Sequence, residues 1–170
     1  MALLLYGGLV LVSLVLQSTV LASVTIAGVK PDLPLILVVI YAMYNGPVFG
    51  AKFGFAVGLA LDLTVGQMIG MQAFSKMLIG IGVGLSVEKL FRSSLAVPVT
   101  AVLLGTVFDQ FLYVLGLALF GVSVGWKGIV PHNILLTATY NGLLVIILYR
   151  GLYAIGDAIA YWDELFRRSG

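Results

Sequence analysis

Three ionisable side chains interrupt otherwise apolar runs of this sequence: Asp62, Lys76 and Asp109. Two kinds of chemistry set a carboxylate or an amine among apolar residues. One is a relay that carries protons or ions across a membrane; the other is a polar lock that fixes how apolar helices pack. Each such group costs ~2.5–3.5 kcal/mol near the centre of a membrane-spanning helix, so each must face the protein and find a partner. The short turn "VGQMIG" between Asp62 and Lys76 sets these two at similar depth on one hairpin, which makes them the first candidate pair. Asp109 closes "GTVFD", an echo of the "GLALD" that ends at Asp62. A relay usually needs more members than this chain supplies, so the lock is the stronger reading of all three.

Other chemistries find little foothold. The sequence has no cysteine, which excludes thiolate nucleophiles and sulfur-held metals. Its one histidine, His132, has no second histidine to complete a familiar zinc spacing. A G-x-S-x-G nucleophile motif is absent. The expectation is therefore a protein that is not an enzyme, with no catalytic, cofactor-binding or metal-ligating residues. Asn45, Asn133, Asn141, Gln17, Gln67, Gln72 and Gln110 either line a cavity or bond between helices, the latter being the commoner use of amides in membranes.

The elements that must position these groups follow from composition. Hydrophobic residues make up 61% of the chain and charged residues 9%, against about 25% charged in soluble domains. With a mean hydropathy of +1.15, this is an all-α integral membrane protein. Its 170 residues form a single transmembrane domain, 1–170, with room for six helices of ~20 residues. Breakers place them at 2–29, 33–44, 47–64, 71–90, 95–120 and 131–153: "GVKPDLP" before the second, "NGP" before the third and "GVSVGWKGIVP" before the sixth. Residues 155–170 read as an amphipathic extension of the sixth helix, a cytoplasmic tail lying at the inner interface, with Ile155, Ile159, Trp162 and Phe166 at helical spacing. The net charge of +2, without a basic stripe, points away from nucleic acid.

Helix 3 carries Gly46, Gly50, Gly54 and Gly58 at every fourth position and then Asp62. Such a row lets another backbone approach closely. Because a step of four overshoots a full turn, the row winds around the helix. The reading is that Gly54 and Gly58 pack inside the bundle while Gly46 and Gly50 face a partner, against the simpler reading that all four pack internally.

Lys30 to Phe74, with Gln17 before it, resembles the bacterial rod shape-determining MreD family. The matching residues are Pro31, Asp32 and Leu33, then Gly50, Gly54, Phe55, Gly58, Leu59 and Asp62, then Gly66 and Gly70. The resemblance implies an inner-membrane scaffold of the cell-elongation machinery that binds the bitopic protein MreC. It implies action with the MreB cytoskeleton, RodA and a class B penicillin-binding transpeptidase, within membrane lipid, to organise peptidoglycan synthesis and maintain rod shape. It also implies a fold similar to the S-component of energy-coupling-factor transporters, which keeps an alternative open: a small-molecule, vitamin-like binding subunit of a transporter.

Six spans put both termini on one side, and basic residues of short loops stay in the cytoplasm. Cytoplasmic termini place Lys52, Lys89, Arg92, Arg150, Arg167 and Arg168 inside and only Lys30 and Lys127 outside. An alkaline phosphatase fused after Gly125 is therefore expected to be active, and one fused after Gly170 inactive. The opposite pattern of colony activity would invert the topology.

Overall fold

The structure, a computed structural model, describes residues 2–19, 29–65, 69–87, 95–121 and 129–168. These residues form six helices: α1 (Ala2–Ser18), α2 (Leu33–Asn45), α3 (Pro47–Val65), α4 (Met71–Val87), α5 (Ala96–Leu119) and α6 (Ile129–Arg168). Every helix begins within two residues of the position the breakers indicate. Among the described residues, Pro47–Thr64, Ala96–Leu119 and His132–Ile159 are long and apolar enough to cross a membrane, and Leu4–Ser18 and Leu33–Asn45 are shorter apolar helices. The expected extension of the first helix from Val20 to Gly28, Gly66, and the connectors 88–94 and 122–128 lie outside the described residues.

The shortest helix is the centre of the bundle. α2 has 13 residues, and every residue from Pro34 to Met43 is buried. It reads apolar on all faces, the mark of a helix surrounded by protein, and it packs against each of the other five. On one side Leu35, Ile36, Val39, Ile40 and Met43 join Ile79 of α4, Val102 of α5 and Val145 of α6. On the other, Leu37, Val38 and Tyr41 join Tyr6 of α1, Phe53 and Val57 of α3 and Ile159 of α6. α2 stops because Gly46 takes φ +85°, a left-handed conformation suited to glycine, and Pro47 then opens α3.

α3 and α4 form a hairpin held backbone to backbone. A Cβ added at Gly50 would overlap the Gly80 carbonyl, one at Gly54 the Lys76 carbonyl, and one at Gly58 the Gln72 carbonyl. Gly84 is closed in the same way by Pro47. Each step of four along α3 is thus matched by a step of four backwards along α4, which is the meeting of two i±4 ridges. This corrects the partner-facing reading at Gly50. Gly50 packs internally like Gly54 and Gly58, and Gly46 serves the turn, with nothing within 4 Å of its Cβ position. The row keeps one neighbour because the ridge of α4 follows it along the crossing.

α6 continues unbroken through residue 155 to Arg168. Gly156 sits against the rings of Tyr41 and Tyr44, Ile159 is buried, and Asp157 accepts a 2.7 Å hydrogen bond from the Tyr44 hydroxyl. Residues 156–159 are therefore part of the bundle; the side chains of Trp162 and Phe166 lie outside the described residues.

Gly54→Ala gains ~1 kcal/mol of helix propensity, yet its methyl has only the α4 backbone to displace. Overpacking of ~1–3 kcal/mol or more should win. A lowered melting temperature in detergent is expected for Gly54→Ala, with no loss for Gly82→Ala, whose Cβ meets nothing within 4 Å.

A buried ionic network as candidate functional site

The close α3–α4 contact determines where Lys76 points. Its backbone lies on Gly54, and its side chain is fully buried and reaches α2 and α5. Nζ stands 3.1 Å from Asp32 Oδ2 and 3.4 Å from Asp109 Oδ1, and donates to Gln72 Oε1 at 2.6 Å. An ammonium has three donors and no acceptor, so these three oxygens take up its whole capacity. Asp109 also accepts a 2.5 Å bond from Ser75 Oγ.

Asp32 has a second task. As N-cap of α2 its Oδ1 accepts from the Leu35 amide at 2.9 Å, one of the donors a helix start leaves unpaired. Its own amide donates to Asn141 Oδ1 at 2.8 Å, and Asn141 Nδ2 donates to Thr106 Oγ1 at 3.0 Å. From α1, Gln17 donates through Nε2 to the Pro31 carbonyl at 2.7 Å and accepts from the Leu33 amide at 3.2 Å. The Pro-Asp-Leu segment is thereby held from α1, α4 and α6 at once. Among the described residues every buried side-chain nitrogen or oxygen has a partner.

Asp62 does not meet Lys76. It is buried and accepts from the amides of Gly70 (2.9 Å), Gln72 (3.1 Å) and Ala73 (3.1 Å). Its carboxylate caps α4, where it also complements the positive end of the helix dipole. The candidate pair from the sequence is thus replaced by Lys76 with Asp32 and Asp109. The reason lies in the hairpin: its glycine contact turns the Lys76 side chain away from α3, while the turn delivers amides to Asp62.

The sequence reading places Asp32 in a turn and in the Pro-Asp-Leu motif and gives its carboxylate no partner. The cue available was its place directly before "LPLILVVIY", the pattern of an N-cap ahead of an apolar helix. Gln17, Gln72 and Asn141 bond between or along helices, whereas Asn133 and His132 are exposed. Phe55 faces outward, and Gly70 takes φ +98° at the start of α4. Among the described residues, no three His, Cys, Asp or Glu side chains are grouped as a metal site would require.

Chemically, the arrangement ties α2, α4 and α5 together through charge. Lys76→Met should leave two carboxylates without their cation and cost ~3–5 kcal/mol. Adding Asp109→Asn and Asp32→Asn, which keeps the cap, should recover part of that loss. A double-mutant cycle on thermal stability is expected to show coupling of Lys76 to Asp32 and Asp109 and none to Asp62.

Compared with known families, residues 1–154 match the family model described as rod shape-determining protein MreD. No curated protein and no solved structure matches the chain.

Proposed function

This chain belongs to the MreD family, a family of rod shape-determining membrane proteins, and from that membership we propose that it is a non-catalytic scaffold of the cell-elongation complex that binds MreC. In this reading all six helices cross the inner membrane with both termini in the cytoplasm, in a fold similar to the S-component of energy-coupling-factor transporters. RodA, a class B penicillin-binding transpeptidase and MreB are engaged directly or through MreC.

The observation that carries the reading is the Lys76 network. Its donors and acceptors are directed at one another, across helices, and Asn141, Thr106 and Gln17 extend the same pattern. Polar groups committed in this way make a bundle of fixed shape, which suits a surface that another protein reads. A subunit that captures a polar solute would need such groups turned toward a cavity.

Co-expression with MreC and purification in mild detergent tests the scaffold. A stable complex of the two proteins is expected, and Lys76→Met should lower the yield of complex together with the yield of folded chain. If folded wild-type chain elutes without MreC, the scaffold reading fails. Capture instead of an energy-coupling module or a bound vitamin would replace it with the transporter-subunit reading.

A further inference from the structure

The charges of the Lys76 cluster do not balance. Asp32 and Asp109 are two acids around one ammonium, so with all three ionised the site holds one negative charge in excess. Asp109 lies near the middle of α5, a helix long and apolar enough to cross a membrane, and its side chain is only 7% exposed. An excess charge in such a place is answered by a cation or by a proton. Among the described residues no second cation reaches the cluster, because Lys30, Lys52, His132 and Arg150 are all exposed. The other acids described are engaged elsewhere, Asp62 with three amides and Asp157 with Tyr44. Of the helices packed on α5, α4 therefore brings Lys76, α2 brings Asp32, and α6 brings the neutral Asn141. The phenols Tyr113 of α5 and Tyr140 of α6 supply no positive charge.

The hydrogen bonds separate the two acids. Asp32 uses both oxygens as acceptors, Oδ1 for the Leu35 amide and Oδ2 for Lys76 Nζ. It also stands at the positive end of the α2 dipole. Asp109 gathers its donors on one oxygen, since Ser75 Oγ and Lys76 Nζ both reach Oδ1. A proton on Oδ2 displaces neither. Asp109 is moreover inside its helix, where the backbone amides are already paired and offer a carboxylate nothing.

We infer that the cluster binds one exchangeable proton, seated on Asp109 Oδ2, so that a carboxylate at Asp32, the Lys76 ammonium and a neutral carboxyl group at Asp109 sum to zero charge. The site is then a proton-dependent latch between α4 and α5. With the proton bound, Oδ1 still accepts from Ser75 and Lys76. Its release to water returns the excess charge to the interior and loosens α5. Asp32, whose side chain is 23% exposed, is the member through which the cluster meets its surroundings. The latch is independent of the MreC reading.

Infrared spectra of the full chain in lipid vesicles, recorded near neutral pH in H2O and in D2O, test it. A protonated-carboxyl stretch is expected that shifts in D2O, disappears as pH is raised, is lost in Asp109→Asn and persists in Asp157→Asn. Isotopic labelling of aspartate carboxyls in the wild-type chain should shift the same band, whether or not the Asn variant folds. Near neutral pH the folded chain holds this proton and the unfolded chain, with its carboxyls in water, does not. Stability should therefore fall as pH rises until the folded cluster releases the proton, and stay level beyond. Asp109→Asn, which has the shape of the neutral acid, should melt no lower than wild type near neutral pH and lack that fall. The coupling of Lys76 to Asp32 should exceed its coupling to Asp109, because only the first joins two charges. Absence of the band from the wild-type chain, or its survival in a folded Asp109→Asn, would overturn the proton site. So would a melting temperature that follows sodium concentration instead of pH, since a bound cation would then balance the charge.

Discussion

A fully buried lysine ammonium governs the arrangement of this bundle. Lys76 is fully buried, and it can be so only with an acceptor for each of its three protons. Gln72 supplies one from the preceding turn of the same helix, but the other two come from α2 and α5. Satisfying one side chain thus sets the relative positions of three helices. The value of such a buried cluster is in register more than in net stability, because the desolvation of its charges offsets much of their attraction. The same segment that offers Asp32 is gripped from α1 by Gln17 and from α6 by Asn141, so register passes from the cluster to the remaining helices.

The glycines make this geometry reachable. With Gly50, Gly54 and Gly58 against Gly80, Lys76 and Gln72, α4 lies on α3 at backbone distance and presents the Lys76 side chain to the rest of the bundle. Packing rather than solvent exclusion drives this contact, which is why its smallest residues stand where the two helices meet. On its other face α4 packs through Ile79 and Val83 into the core that also holds Val102 of α5.

The other end of α2 is secured by rings and amides rather than charge. Tyr6, Tyr41, Phe49 and Phe53 pack with centroids 4.9 to 5.8 Å apart, and Asn45 donates to both the Tyr6 hydroxyl and the Tyr41 carbonyl. Tyr44 reaches Asp157 of α6, where the helix continues past residue 153. The 13-residue α2 is accordingly fixed at both ends, by a carboxylate cap at its start and an aromatic cluster at its finish.

Local chemistry determined the elements: the helix starts at Leu33, Pro47 and Met71 follow from proline, glycine and aspartate acting within a few residues of themselves, and the membrane as solvent follows from composition. The same local logic marked Asp62, Lys76 and Asp109 as groups that must be answered inside the protein. Which group answers which was a matter of tertiary structure. Asp62 and Lys76 share a depth on one hairpin, but depth leaves direction around the helix undetermined, and direction was decided by the backbone contact between α3 and α4. Asp32, far along the chain from Asp109, reached Lys76 only because α2 is enclosed by five neighbours. The glycine row likewise showed that some backbone would approach, while its owner, α4, was fixed by two ridges of equal spacing running in opposite directions, a property of the pair that neither helix carries alone.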